Sequence, residues 1–266
     1  MDVKIVDTTL RDGEQMAGMA LKACQKVHIA KLLNSIGIYQ IEAGIPAMGG
    51  DEKKSVEKIA ALGLKSRISS WNRLNTRDIM MSMECGVDNI HISVPSSEIQ
   101  IASKLKKTRE WVVDNLKRCV ALCRDKGFPV SIGLEDASRA SRAFLFRLLE
   151  YAVSEGIQMV RYADTVGVLT RRQAFEDVRV IKSAFNVQLE MHAHNDFGMA
   201  VANSIAAVKA GAELVDCTAG GIGERSGNCG LLEFAKAAGV FLEGRGHFIV
   251  EEVEEVQNQI NQIVSR

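Results

Sequence analysis

The sequence predicts an α/β protein folded as a single (β/α)8 TIM barrel. Short apolar runs of strand length alternate with longer amphipathic stretches of helix length, and this pair recurs eight times in 266 residues. Glycine follows most of the amphipathic stretches, where helices commonly end. A doubly wound open sheet is the competing fold, but such sheets usually carry a glycine-rich phosphate loop after the first strand. Here Asp12-Gly13-Glu14-Gln15 follows that strand instead.

Each unit of the N-terminal half has its own strand and helix pattern. In the first helix Val27, Ala30 and Leu33 share one face, and Gly37 follows the last turn. The next three units repeat this order. The predicted elements are strand Val3–Asp7, helix Lys22–Ile36, strand Ile38–Gly44, helix Asp51–Leu62, strand Lys65–Ser70, helix Thr76–Cys85, strand Asn89–Val94 and helix Thr108–Lys126.

The C-terminal half continues the alternation with four more units. Gly156 and Gly211 mark two of the helix ends. The predicted elements are strand Pro129–Glu135, helix Ser141–Ser154, strand Met159–Ala163, helix Arg171–Ala184, strand Gln188–Ala193, helix Met199–Ala210, strand Leu214–Thr218 and helix Asn228–Leu242.

We expect the barrel to occupy residues 1–245 and a C-terminal amphipathic helix to occupy residues 246–266. In Val250–Ile263 the apolar residues recur at helical spacing, so one face of this helix is apolar. That stripe must be covered either by the barrel or by another chain.

Composition excludes several classes of partner. The formal net charge is zero, which leaves no electrostatic footprint for nucleic acid or for an acidic membrane. No apolar run reaches the length of a membrane span. The six cysteines form no C-x-x-C pair, which indicates free thiols in a reducing, cytoplasmic compartment.

His192 and His194 are the strongest sign of chemistry in the chain. They lie two residues apart on a predicted strand, so both imidazoles point to one face. Two imidazoles on one face suit a divalent metal, with Asp12 at the end of the first strand as a third ligand. The alternative is a pair of histidines that bind nothing, with Asp12 serving as a helix cap or as an ion-pair partner of Arg11.

Other polar residues collect where strands end, and a barrel of this kind has its active site there. Arg11 can polarise a carbonyl or hold an enolate oxygen, or it can simply pair with Glu42 or Glu135. Thr165 and Asn228 can hold a substrate carboxylate or complete the metal shell, or they can serve as a strand-end hydrogen bond and a helix cap. His91 has no partner two residues away, which favours a satisfied barrel histidine over a ligand.

Several of these stretches resemble the metal-dependent acyl-CoA barrel family, which includes isopropylmalate synthase, homocitrate synthase and 3-hydroxy-3-methylglutaryl-CoA lyase. Asp7–Gln15 and His192–Gly198 are similar to the two signatures of that family, and Gly223–Asn228 is similar to a loop of its synthase branch. The lyase carries a cysteine-containing loop at that point. Three further stretches resemble those of homocitrate synthases of the nitrogen-fixation type, namely Glu42–Gly49, Glu135–Ala140 and Arg161–Gly167.

The resemblance implies a Claisen condensation of acetyl-CoA with a 2-oxoacid, 2-oxoglutarate giving homocitrate, followed by thioester hydrolysis. It implies one divalent metal ion (Mg, Mn, Zn or Fe) and acetyl-CoA as cosubstrate. The alternatives are an isopropylmalate- or citramalate-type synthase and a lyase that performs an aldol cleavage. By role, the expected residues are Asp12, His192, His194 and Asn228 for the metal, Arg11, Gln15 and Glu135 for catalysis, and Arg11, Glu42, Arg73 and Thr165 for substrate.

The chain departs from the family pattern in three places. Other homocitrate synthases carry a histidine after strand three, where this chain has Trp71-Asn72-Arg73, and an arginine and a serine on strand five, where it has Ser131 and Gly133. Arg73 is then the candidate cation for the distal carboxylate of the substrate. The family's synthases also continue into a further subdomain, whereas this sequence ends at Arg266. We therefore expect a homodimer, or an assembly with a separate subunit that carries that region.

Overall fold

Eight parallel strands form a closed barrel, in which each strand pairs with its neighbours in sequence and β8 pairs with β1. The computed structural model describes residues 2–244 and 248–264. The predicted (β/α)8 barrel is thereby confirmed. The strands are β1 Lys4–Asp7, β2 Gln40–Glu42, β3 Arg67–Asn72, β4 Asn89–Pro95, β5 Val130–Glu135, β6 Met159–Asp164, β7 Gln188–Ala193 and β8 Leu214–Cys217.

Helices surround the barrel and follow the predicted order. They are α1 Ala23–Ser35, α2 Gly50–Ala60, α3 Thr76–Glu84, α4 Arg109–Asp125, α5 Arg142–Ser154, α6 Arg171–Ala184, α7 Ala200–Ala210, α8 Leu231–Phe241 and α9 Val250–Val264. Side-chain caps set several of the starts. Thr170 Oγ1 accepts from the backbone N–H of Gln173, whose side chain in turn accepts from Thr170 N, so α6 begins where it was predicted to.

Two helical features differ from the sequence prediction. The eighth helix begins at Leu231 rather than at Asn228, because Asn228 N donates to Gly221 O and its side chain turns toward the barrel mouth. A π-helical segment, Ile99–Lys104, also follows β4, where the sequence showed no clear helical pattern. Both differences lie at the carboxyl ends of strands, where side chains are directed inward.

The barrel interior is polar over much of its depth. Arg161 on β6 is buried and contacts carboxylates from three other strands, namely Glu42, Glu190 and Asp216. Buried charges of this kind are tolerated when they are paired and hydrogen-bonded. The main apolar core lies instead between the outer faces of the strands and the helices that cover them.

Helix α9 packs against α1 and α8 of its own chain. Val253, Val256 and Ile260 of its apolar stripe are buried, and Gln25 Nε2 in α1 donates to Ile263 O at 3.0 Å. The stripe is thus covered within the chain, which removes the need for another chain to cover it. The expected boundary at residues 245 and 246 lies outside the described residues. Among the described residues no helix is long and apolar enough to cross a membrane.

Candidate metal centre and active site

Asp12, His192 and His194 meet at the carboxyl ends of the strands. The two imidazole Nε2 atoms are 3.1 Å apart, and Asp12 Oδ2 lies 3.5 Å from His192 Nε2 and 3.9 Å from His194 Nε2. All three residues are buried, and one ligand atom from each lies within 4.8 Å of the others. The structure therefore brings together a carboxylate and two imidazoles that are about two thirds of the chain apart in sequence.

Backbone geometry explains why Asp12 reaches the histidines. Thr8 O accepts the backbone N–H groups of Arg11, Asp12 and Gly13 at 2.8–3.0 Å, so the chain turns sharply as soon as β1 ends. On the other side, His194 forms an isolated bridge with Asn228, which brings the loop after β8 against the end of β7. The metal group is thus assembled from the ends of β1 and β7, with Asn228 of the loop after β8 beside it.

The protonation of Asp12 and His194 suits a metal. The pKa of His192 is raised instead, because burial, which lowers it, is outweighed by the carboxylates of Asp216 and Asp12. Burial raises the pKa of Asp12, but Arg11 and the two histidines lower it more, to about 2, so the carboxylate is ionised. Burial, and then the neighbouring His192, lower the pKa of His194 to about 4, which leaves that imidazole neutral at pH 7. An ionised carboxylate and a neutral imidazole are the forms that coordinate a metal.

Asp216 on β8 orients His192 from behind. Its Oδ2 lies 2.9 Å from His192 Nδ1, while its Oδ1 accepts from Thr8 Oγ1 at 2.6 Å. A carboxylate at Nδ1 favours the tautomer in which Nε2 keeps its lone pair, and Nε2 is the atom that faces Asp12. Sequence reasoning missed Asp216, because nothing in its strand pattern relates it to a histidine on β7.

Asn228 lies beside Asp12 and is nearly fully buried. Its Nδ2 donates to Asp12 Oδ1 at 3.3 Å and to Ile222 O at 3.0 Å. Its Oδ1 is buried and has no hydrogen-bond partner among the described residues. Buried amide oxygens are rarely left unpaired, so this atom fits a place for a cation next to Asp12.

Arg11 is held in position from three sides. Its Nη1 donates to Asp12 Oδ2 at 2.8 Å, its Nε donates to Glu42 Oε1 at 2.6 Å, and its guanidinium carbon lies 5.2 Å from the centre of the Trp71 ring. No described residue is hydrogen-bonded to Nη2. The structure thus presents one N–H-bearing arm of a rigid cation beside the metal group.

Glu42 lies beneath Arg11 and does not line the cavity. Its Oε2 accepts from Arg161 Nη2 at 2.9 Å, and its Oε1 accepts from Arg11. Burial raises the pKa of Glu42, but Arg161 and Arg11 lower it more, to well below its usual range. Glu42 therefore contacts Arg11 and is separated from the cavity by it, and its expected role in binding substrate stays a prediction.

A cavity of about 190 Å³ opens over the metal group. Of the residues expected from sequence, those that line it are Arg11, Asp12, Gln15, Glu135, Thr165, His192 and His194. Arg73 does not line it. The side chain of Arg73 is 65% exposed and binds Asp78 through two hydrogen bonds, of 2.7 and 3.1 Å.

Glu135 and Thr165 lie on neighbouring parts of the rim. Ser93 Oγ donates to Glu135 Oε2 at 3.2 Å, and Lys104 Nζ lies 3.5 Å from Glu135 Oε1. Thr165 Oγ1 accepts from the backbone N–H of Asp136, the residue after Glu135, at 2.8 Å. Asp136 is left-handed, with φ of 61°, which is uncommon for a residue other than glycine.

Eight more residues line the cavity, and the sequence analysis assigned a site role to none of them: Trp71, His91, Ser93, Lys104, Gly133, Arg161, Ala163 and Glu224. His91 was expected to be a satisfied barrel histidine, and its Nδ1 is indeed 2.9 Å from Ser131 Oγ. Its ring nevertheless faces the cavity, where a Cβ on Gly133 would approach His91 Nε2 to 2.5 Å. Lys104 could have been found only if the π-helical segment after β4 had been recognised.

Arg225 ties the mouth loops together. It donates to both carboxylate oxygens of Asp196, at 2.8 and 3.1 Å, and to Thr165 O at 2.8 Å. Gly227, two residues on, has φ of +84°, and a Cβ there would come within 1.9 Å of Gly221 O. Only glycine fits that turn, which carries the chain on to Asn228.

The HMGL-like family profile matches residues 2–260. The homocitrate synthase subunit alpha of Clostridium pasteurianum is 52% identical over 99% of this chain and 98% of its own length. The 2-isopropylmalate synthase 2 of Caldanaerobacter subterraneus subsp. tengcongensis is 50% identical over 88% of this chain, which spans only 61% of that protein. A solved hydroxymethylglutaryl-CoA lyase of Pseudomonas aeruginosa has 17% identity and a TM-score of 0.86, over 100% of this chain and 94% of its own, which supports the fold alone.

Proposed function

We propose, from the premise that this chain belongs to the HMGL-like family, that it is an acyltransferase that condenses acetyl-CoA with a 2-oxoacid. The observation that carries the proposal is the buried group of Asp12, His192 and His194 with the fixed guanidinium of Arg11 beside it. The homocitrate and isopropylmalate synthases among its relatives support the same reaction class.

In this function Asp12, His192 and His194 hold one divalent metal ion, with Asn228 Oδ1 beside them. When bound, the metal supplies a Lewis acid for the keto group of the 2-oxoacid. Asp216 keeps the His192 ring in the tautomer that the site needs. The donor set of one carboxylate and two imidazoles accepts Mg, Mn, Zn or Fe, so the identity of the metal is left to experiment.

Arg11 stabilises the developing negative charge. Glu42 and Asp12 hold two arms of its guanidinium, and the remaining arm donates to the oxygen of the former keto group as charge collects there. Because the cation is already fixed, little reorganisation accompanies the reaction. Gln15 and Thr165 lie on the rim of the same cavity and complete the polar contacts of the oxoacid.

The reaction balances as follows. The acetyl methyl group loses a proton to a base, and its carbon forms a bond with the keto carbon as the C=O π bond opens and its oxygen takes up a proton. Water then cleaves the thioester C–S bond, which leaves a carboxyl group on the product and releases CoA as its thiol. We place Glu135 in the cavity as a catalytic carboxylate. We also propose that the chain works as a homodimer or with a second subunit that completes the site, which the name of the clostridial relative, subunit alpha, supports.

Among 2-oxoacids we propose 2-oxoglutarate. The support is the 52% identity to a homocitrate synthase subunit over nearly the whole of both chains. The 50% identity to a 2-isopropylmalate synthase supports a branched oxoacid instead, so the two substrates must be compared directly. A lyase reaction is less well supported, because no cysteine lines the cavity within the described chain.

Calorimetry tests the proposal. The chain is titrated with 2-oxoglutarate, and separately with 2-oxoisovalerate, in the presence and absence of Mn²⁺. We expect heat of binding that depends on the metal and is lost in Asp12→Ala. If neither oxoacid binds with metal present, the proposed function is wrong. If only 2-oxoisovalerate binds, the reaction class stands and 2-oxoglutarate is replaced as the substrate.

A further inference from the structure

We propose that Lys104 recognises the second carboxylate of a dicarboxylic 2-oxoacid and thereby sets the choice of substrate. The inference rests on the function proposed above. It concerns a residue that the resemblance did not single out, on a π-helical segment after β4. Three observations carry it: where Lys104 lies in the barrel, which cations of the cavity are already engaged, and what surrounds Glu135.

The first observation is position. The metal group comes from the ends of β1 and β7, whereas Lys104 follows β4 and Glu135 ends β5. In a closed barrel of eight strands in sequential order, β4 and β5 lie across the mouth from β8 and β1. The interior of such a barrel is only about as wide as the side chains that fill it. Lys104 therefore lines the part of the cavity that faces the metal group, where the far end of a short oxoacid bound there can reach it.

The second observation is that the other cavity cations are engaged. Among the described residues, the cations that line the cavity are Arg11, Lys104 and Arg161. Arg11 binds Asp12 and Glu42, and buried Arg161 is surrounded by three carboxylates. Lys104 has one partner, Glu135 Oε1 at 3.5 Å, and its side chain is 65% exposed. It is the cavity cation whose charge is least neutralised by the protein.

The third observation is the charge of Glu135. Ser93 Oγ donates to its Oε2, so the carboxylate is held at the rim. A second carboxylate on the ligand would be repelled by Glu135 unless a cation lay between them. Lys104 Nζ is placed to bridge the two, since it already lies beside Oε1. An oxoacid with an apolar side chain carries no second carboxylate, so it needs no cation between itself and Glu135.

Arg73, the cation expected from sequence to take this role, is placed elsewhere. Its two hydrogen bonds to Asp78 and its absence from the cavity lining leave it outside reach of a ligand at the metal group. Lys104, and not Arg73, is therefore the cation that we propose for the distal carboxylate of the substrate.

The test compares two oxoacids on four forms of the full chain with Mn²⁺, by calorimetry. The forms are wild type, Lys104→Met, Lys104→Arg and the matched control Lys107→Met, which removes the same charge from an exposed residue three positions along. Lys104→Met should bind 2-oxoglutarate roughly 10- to 100-fold more weakly than wild type does, because it loses one charge-assisted hydrogen bond. Binding of 2-oxoisovalerate should stay within about twofold, because an apolar side chain gains nothing from the cation.

We expect Lys104→Arg to restore most of the preference for 2-oxoglutarate and Lys107→Met to leave both affinities unchanged. If Lys104→Met binds 2-oxoglutarate as tightly as wild type does, the inference is overturned while the proposed function stands. Equal weakening of both oxoacids also overturns it, because that result indicates a general disturbance of the site. If wild type binds no oxoacid, the proposed function itself has failed.

Discussion

Asp216 Oδ2 lies 2.9 Å from His192 Nδ1, on the side of the imidazole opposite the metal group. The two residues come from neighbouring strands, and Arg161 Nη2 lies 3.4 Å from the same carboxylate oxygen. Charged residues behind the metal group thus contact its histidine, and sequence patterns do not reveal them. Their effect on metal binding can be tested.

Asp216→Asn should weaken metal binding roughly 10- to 100-fold, because the amide no longer holds the imidazole as a carboxylate does. Competition of Mn²⁺ between the protein and a chelator measures the effect. Thr8→Val is the control, since it removes only the hydroxyl that donates to Asp216 Oδ1. Unchanged metal affinity in Asp216→Asn would mean that the carboxylate does not orient His192.

Arg161→Met should destabilise the fold by about 3–5 kcal/mol, because it leaves buried carboxylates without their cation. Glu190→Gln should destabilise the fold much less than Arg161→Met does. Burial raises the pKa of Glu190 to about 7, and its Oε2 already lacks a hydrogen-bond partner among the described residues. Urea unfolding at pH 7 compares the two. Equal losses for both variants would contradict this ordering.

Asp7 should make the protein less stable as pH rises. Burial raises its pKa from 3.8 to about 7, so between these values the folded state holds a proton that the unfolded state has released. The free energy of unfolding then falls across this window and levels off above pH 7, by at most about 4 kcal/mol. Asp7→Asn keeps an acceptor for Thr9 N and should flatten the dependence.

Urea unfolding at pH 5 and pH 8 gives the change in the free energy of unfolding with pH for wild type and for Asp7→Asn. The contribution of Asp7 is the difference between these two changes. Glu190 contributes in the same direction, so the variant should lose part of the slope and not all of it. If the two proteins show parallel pH profiles, Asp7 is ionised in the folded state across the whole range.

Ile260→Ala in α9 should destabilise the chain by about 2–5 kcal/mol, the usual range for truncating a buried isoleucine. Its side chain is 1% exposed, whereas Glu252, in the same helix, is exposed. Thermal unfolding of Ile260→Ala against Glu252→Ala measures the difference. A melting temperature equal to that of the control would indicate that α9 is not docked in solution.

Sequence periodicity was enough to predict the barrel because each strand–helix unit carries its own local signal. Helix α6, from Arg171 to Ala184, was predicted correctly at both ends. Thr170 and Gln173 form a local cap that sets its first residue. The start of α8 was predicted three residues early, because Asn228 resembles a cap in sequence but turns toward Asp12 in three dimensions.

The candidate site was predictable where spacing along one strand or one turn determines direction. His192 and His194 share a strand face, and Asp12 follows the end of β1 directly. The residues that support them were not predictable. Asp216 reaches His192 from the neighbouring strand, at a place set by register, and Lys104 lies on an irregular segment, so no local pattern distinguishes either from ordinary charged residues.

The bonds of Arg225 to Asp196 and to Thr165 O join the loops that follow β6, β7 and β8 into one frame. His194 and Asn228 are bridged to each other within this frame, so both are already in place when a ligand arrives. The entropic cost of ordering them has been met during folding rather than at the moment of association. Hydrogen exchange at these backbone amides should therefore be slow in the metal-free protein and change little when metal is added.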